Sequence, residues 1–338
     1  MESRDFNLDI IFEILSRSSL KTLAKCGLLS KEVNSLTYQS AFMNLHCQRT
    51  KTISGYFVQS LSYNKFSSTF VDNICSDYKL SLDFLRVPVK IEASTSQGIL
   101  LCRCNRGTIP RYYVCKPSTK EWQIIPNPKT RYFNELFAMI VLKSNPLHYR
   151  ILQEVKLSFG EFLHSEPTVS VCGSVHWLTT KDNILAFHED IENYSMFSLP
   201  SPIYESDSYG YKKLTEYEGK LALICKGRDN SFMDLWVMES YGKKEWNKRQ
   251  RINIESLREK EKFTNPYDFY NVDVVMMRGF YNVIFFKFKN GNSADIVRLH
   301  ENFNLMDTEV FPFKSDFEPS NLKKGKKKKI KENGLGVS

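Results

Sequence analysis

A mainly β fold headed by a small helical module is predicted by three observations. Residues 5–45 place apolar side chains at helical spacing. Beyond about residue 50 the chain turns to short runs rich in Val, Ile, Thr, Phe and Tyr, the residues that suit a pleated, half-buried surface. Within those runs a glycine-led pattern of strand, loop, strand, turn and strand recurs four times. The first observation predicts three short helices, and the other two predict a β-propeller-like domain of antiparallel repeats.

In the helical module, Asn7 or Asp9 is the expected cap of the first helix, because a side-chain oxygen there satisfies orphaned amide groups. Ile10, Ile11, Ile14 and Leu15 then share a face. Ser19 and Ser30 cap the next two helices, which carry Leu20, Leu23 and Ala24, and Val33 and Leu36. Each is too short to be stable without tertiary packing.

After a strand at 53–58 and an alternating one at 80–85 that Pro88 ends, the repeats begin. Gly98, Gly173, Gly219 and Gly279 open apolar strands at 98–102, 173–178, 219–225 and 279–286. Second strands follow at 112–115, 184–187, 233–238 and 294–299, then third strands with an aromatic at 122–125, 194–197, 246–249 and 308–311. Pro117 presets the turn that returns the chain to Trp122. The glycines are 75, 46 and 60 residues apart, and the longest gap holds another hairpin at 138–142 and 149–152. A radial array hides the edges of so many short strands, and the length suggests five to seven blades. A large β-sandwich or two stacked β-domains is the rival reading. Trp122, Trp177, Trp236 and Trp246 are expected to pack between sheets.

Two stretches resemble a known family. The order Asp9-Ile10, Glu13-Ile14-Leu15-Ser16-Arg17, Leu20-Lys21-Thr22-Leu23, Leu29-Ser30-Lys31, Ser35-Leu36 and Ala41-Phe42 is similar to an F-box. It departs from the usual pattern at Phe6-Asn7, at Ser18-Ser19 and at Val33, where the family usually has Trp. The region from about 95 to 300 resembles the F-box-associated interaction domain of plant F-box proteins. Gln97-Gly98-Ile99-Leu100-Leu101-Cys102, the run 114–126, Gly173-Ser174-Val175-His176-Trp177-Leu178, the run 218–224, and Leu235-Trp236-Val237-Met238 through Trp246 carry it. The resemblance implies an F-box module at 1–47 and a propeller-like domain at 48–318. It implies that Phe6, Leu8, Ile10, Ile11, Ile14, Leu15, Leu20, Leu23, Val33 and Leu36 bind a Skp-type adaptor, and through it a cullin scaffold. The β-domain would then recruit an unknown target protein for ubiquitination by partner proteins. A propeller binding a protein or glycan without ligase coupling is the alternative, and a propeller enzyme a third.

With 42% hydrophobic residues in 338, the chain has material for a sizeable core. Its longest apolar run, 136–142, is far short of a membrane span, and the charged first residues do not read as a signal peptide; a soluble intracellular protein is expected. Eight scattered cysteines, Cys102 and Cys104 among them, read as reduced core residues, with no metal or cofactor site expected. The six histidines fall in no catalytic motif, and His176 and His188 are expected to pack or face solvent, so no catalytic residue is assigned. Of the net charge of +9, residues 321–338 contribute +6, which argues against a nucleic-acid-binding body. Lys323, Lys324, Lys326, Lys327, Lys328, Lys329 and Lys331 lie in an expected disordered tail at 319–338 and form a candidate nuclear-import signal, with nucleus and cytoplasm the expected locations.

Overall fold

The structure, a computed structural model, describes residues 3–50, 52–62, 65–72, 79–105, 109–127, 137–144, 146–153, 161–164, 166–204, 208–258, 260–261, 263–280, 282–289, 293–299 and 308–322. Four helices precede the first strand: α1 (Ser3–Leu15), α2 (Leu20–Leu29), α3 (Lys31–Thr37) and α4 (Ser40–Thr50). Ser19 and Ser30 cap α2 and α3 as expected, accepting from the Thr22 amide at 3.2 Å and the Val33 amide at 3.3 Å. Neither Asn7 nor Asp9 caps α1, since the helix already runs from Ser3. The fourth helix was not expected; its buried Phe42, Met43, His46 and Cys47 have helical spacing, but a His and a Cys supply half of that face.

The strands then form five blades in chain order. Blade 1 is β3 (Lys90–Ser94), β4 (Leu100–Cys104), β5 (Arg111–Lys116) and β6 (Glu121–Ile125), after β1 (Ile53–Ser62) and β2 (Lys65–Val71). Blade 2 is the hairpin of β7 (Phe137–Ser144) and β8 (Leu147–Gln153). Blade 3 holds β9 (Val169–Val171), β10 (Ser174–Leu178), β11 (Asn183–His188) and β12 (Asn193–Ser198). Blade 4 holds β13 (Tyr209–Tyr217), β14 (Lys220–Gly227), β15 (Phe232–Ser240) and β16 (Glu245–Asn253). Blade 5 holds β17 (Asn265–Phe269), β18 (Val274–Arg278), β19 (Asn282–Lys287) and β20 (Ser293–Arg298). A closing sheet of order β2-β1-β21 joins the chain ends, with β21 (Glu309–Ser315) antiparallel to β1 from Ile53↔Ser315 to Gln59↔Glu309.

Hydrophobic clusters fill every seam of this ring. On β14, Leu221, Leu223 and Cys225 pack toward blade 3, while Ala222 and Ile224 pack toward blade 5. Phe57 joins the seam with blade 1 and Val58 the seam with blade 5, which closes the circle. Strands buried on both faces read as continuous apolar runs, unlike the alternating strands of a sandwich with one wet face. The fold is therefore a β-propeller.

Three expectations are corrected. The stretch 80–85 is not a strand: Asp83–Leu85 is a 3-10 turn, anchored by Leu82 and Leu85 in the seam and by the Asp83 amide donating to Ser81 Oγ at 3.0 Å. The fourth repeat is out of frame, because its first strand is β19, the third of blade 5, and its last is β21 of the closing sheet. Gly173 and Gly219 sit in two-residue turns where both central residues have positive φ, Cys172 and Gly173 at 54° and 66°, Glu218 and Gly219 at 50° and 72°. Blade 5 makes its equivalent turn around Asn271 and Val272 with no glycine, so Gly279 attracted the frame instead. Finally, the chain stays packed beyond 318: the Ser320 amide donates to Glu121 Oε2 at 2.9 Å and Leu322 is buried between blades 1 and 2. The lysines from Lys323 to Lys331 lie outside the described residues.

Candidate docking site

The helical module has a small core of its own. Leu15 from α1, Leu23 from α2 and Phe42 from α4 are buried together, with Ile11, Phe12, Val33 and Leu36 packed around them. Phe12 meets Phe42 edge-on at 5.3 Å between ring centroids. Arg49 at the end of α4 donates to Glu13 Oε2 at 2.8 Å and to Ser16 Oγ, so α4 ties down α1. His46 Nε2 lies 2.8 Å from the Ser18 carbonyl and holds the α1–α2 connection.

Of the ten residues expected at an adaptor contact, Leu15 and Leu23 point into this core, and Ile11, Leu20, Val33 and Leu36 are half-buried. Leu8, Ile10 and Ile14 face solvent, Ile14 at 60% exposure. The side chain of Phe6 lies outside the described residues. Two residues that were not expected at the contact are the most exposed apolar side chains of the module: Leu28 at 89% and Leu29 at 87%, both at the C-terminal end of α2. Their signal was available, since they lie five and six residues beyond Leu23, off the face that Leu23 and Cys26 fill on the same helix. Large side chains left in water on helices that have a packed inner face mark a surface for a partner.

The module sits on the end of the propeller that carries the tight turns. Tyr38, the residue after α3, donates from its hydroxyl to Glu216 Oε1 at 2.7 Å, and its carbonyl accepts from the Val272 amide at 3.4 Å. Asn34 Nδ2 donates to the Glu218 carbonyl at 3.4 Å. A Cβ on Gly219 would stand 3.2 Å from both Asn34 Nδ2 and the Tyr38 hydroxyl, so glycine serves the positive φ and the close approach of α3 together. Burial pushes the Glu216 carboxyl above its ordinary range despite the Tyr38 hydrogen bond, and burial with the neighbouring Glu216 charge pushes the Tyr38 phenol up. Tyr38 therefore remains a proton donor at neutral pH.

Because successive strands are antiparallel, the β10–β11 and β14–β15 loops and the links between blades emerge at the other end of the ring. Exposed Phe162 and Phe263 lie in these links, and exposed Ile109 and Phe280 in the corresponding β4–β5 and β18–β19 loops at the same end. The tryptophans lie in the seams: Trp177 and Trp236 are buried, and Trp122 and Trp246 partly so. His176 is buried between the Val169 carbonyl at 3.1 Å and the Tyr241 hydroxyl at 2.7 Å, and burial lowers its pKa to about 4, so it is a neutral packing residue. Cys102, Cys104 and Cys115 share the seam between the closing sheet and blade 1.

Comparison with known proteins adds the following. A family model described as the F-box associated beta propeller domain matches residues 141–292. The chain is similar to an F-box protein of Arabidopsis thaliana, 37% identical over 164 residues that make up 45% of this chain and 88% of the relative. It is also similar to a second Arabidopsis thaliana F-box protein, 26% identical with 74% and 79% covered, and to a putative third, 24% identical with 71% and 76% covered.

Proposed function

The chain belongs to the plant F-box proteins that carry an F-box-associated domain, and we propose that it is the target-receiving subunit of an SCF-type ubiquitin ligase. In this reading the helices dock a Skp-type adaptor, the adaptor connects to a cullin scaffold, and the propeller holds a target protein. The chain itself is non-catalytic; it raises the effective concentration of target lysines near the charged ubiquitin carrier. The observation that carries the reading is the outward apolar set Ile10, Ile14, Leu28 and Leu29 on helices already packed inside by Leu15, Leu23 and Phe42. Ile14→Asp with Leu28→Asp tests it, because both positions are exposed and the variant keeps its core. Co-purification with the adaptor should fall by at least about tenfold while the melting temperature stays unchanged. Undiminished capture would refute the adaptor role and favour a propeller that works without ligase coupling.

The tail lysines have a separate proposed role as an import signal, placing the protein in nucleus and cytoplasm. Deleting residues 323–338 from a fluorescent fusion should lower its nuclear fraction and leave adaptor capture alone; an unchanged nuclear fraction defeats the import role.

A further inference from the structure

At the propeller end away from the helices, the seam between blades 3 and 4 opens into a cavity of about 390 Å3. His164, Tyr209 and Tyr211 line it, with Leu178 and Leu214 deeper in the seam. Two acidic side chains also line it, each paired with a lysine that lines it too. Glu166, in the link from blade 2 to blade 3, pairs with Lys213 and accepts from the Tyr211 hydroxyl at 3.3 Å. Asp182, in the β10–β11 turn, accepts from Lys212 Nζ at 2.6 Å through Oδ2.

The lining is formally neutral, but its two signs are not equally reachable. The Glu166 side chain is 33% exposed against 5% for Lys213, and Asp182 is 29% exposed against 17% for Lys212. In each pair the carboxylate is the more exposed member. Asp182 Oδ1 accepts no hydrogen bond among the described residues, and a carboxylate has room for several donors. Burial works to raise the Glu166 carboxyl, yet the Lys213 ammonium, with Arg278 and the Tyr211 hydroxyl, outweighs it and holds the group below its ordinary value. Glu166 is thus anionic at neutral pH in a pocket that Tyr209 and Tyr211 line.

We propose that this cavity anchors an arginine side chain of a target protein, the guanidinium lying against the aromatic wall and donating to Asp182 and Glu166. A planar guanidinium stacks on rings and matches carboxylate geometry, and a cavity of this size has room for the side chain and adjoining backbone. Each lysine that lines the cavity is already held by a carboxylate, so a phosphate is disfavoured at the same place. Calling the ligand a target rests on the receptor function proposed above, whereas the ligand chemistry stands on the cavity alone.

The test uses the full chain with selectively labelled tyrosines and three capped tripeptides, Gly-Arg-Gly, Gly-citrulline-Gly and Gly-phosphoserine-Gly. The arginine peptide should shift the ring resonances of Tyr209 or Tyr211 with saturable dependence on concentration. Citrulline, which has nearly the same shape without charge, should bind at least about tenfold more weakly. Asp182→Asn should weaken the arginine peptide by a similar factor without unfolding, since asparagine tolerates the positive φ of 58° at this position. Equal binding of citrulline, tighter binding of phosphoserine, or no saturable shift with the arginine peptide would each overturn the proposal. Adaptor capture by Asp182→Asn should match the parent. Arginine binding without adaptor capture by the parent would sink the receptor function and leave the cavity assignment standing; the reverse result would do the opposite.

Discussion

The helical module and blade 4 use the same apolar residue types toward opposite ends. In blade 4 the residues of β14 from Leu221 to Cys225 are all fully buried, alternate ones in alternate seams. In the module, neighbouring Leu28 and Leu29 stand in water, and only Leu15, Leu23 and Phe42 form a buried centre. The propeller satisfies its apolar surface by closing on itself, whereas the module leaves part of its apolar surface in water. A leucine on this chain is thus buried or left in water according to whether the fold supplies its second neighbour.

The sharpest way to break that contrast is a pair of truncations. Phe286→Ala, which opens the seam of blades 4 and 5, should cost about 3 to 5 kcal/mol in chemical denaturation. Leu28→Ala should leave stability within about 0.5 kcal/mol and act on adaptor capture instead. If Leu28→Ala proves as destabilising as Phe286→Ala, α2 is covered by the fold and is no docking helix.

A smaller effect is expected where the regions meet. Tyr38→Phe keeps the ring in the seam of blades 4 and 5 but removes the donor to Glu216, and should cost about 1 kcal/mol. The same substitution in a chain lacking α1 and α2 should cost as much, because the contact belongs to α3 and the propeller. A null effect in denaturation would show that the hydroxyl is replaced by water without loss.

The smallest effect is a pH dependence confined to the propeller centre. Burial raises the Asp268 carboxyl, despite hydrogen bonds from Thr215 and Tyr56, to about 6. A folded-state value above the unfolded one means that the folded chain binds the extra proton, so this stabilisation is complete below about pH 4 and is lost as pH rises through about 6. Asp268→Asn should flatten the change in melting temperature across that window. If parent and variant keep the same slope, the buried Glu92, which burial raises to about 7 between Lys90 and Arg103, carries the dependence instead.

Much of this was legible in the sequence because it depends on neighbours in the chain. Ser19 and Ser30 start α2 and α3 through hydrogen bonds three residues long. Gly173 and Gly219 mark two-residue turns, and the apolar strands after them announce sheets buried on both faces. Pro117 and Trp122 fall where the turn and return strand were expected.

What escaped depends on distant partners. Innermost strands such as β3 and β13 carry Lys90, Glu92, Lys213 and Thr215, which look like loop residues until the ring supplies Glu309, Glu166 and Asp268 from distant parts of the chain. The pairing of Ile53 with Ser315, the frame of blade 5 and the placing of Glu166 and Asp182 in one cavity all join residues that local patterns cannot relate. The sequence alone determined the elements and their apolar faces, because φ preferences and side-chain period act over a few residues. Only the tertiary structure decided which of those faces found a partner, because ring closure buries the propeller strands on both sides and leaves α2 with one side in water.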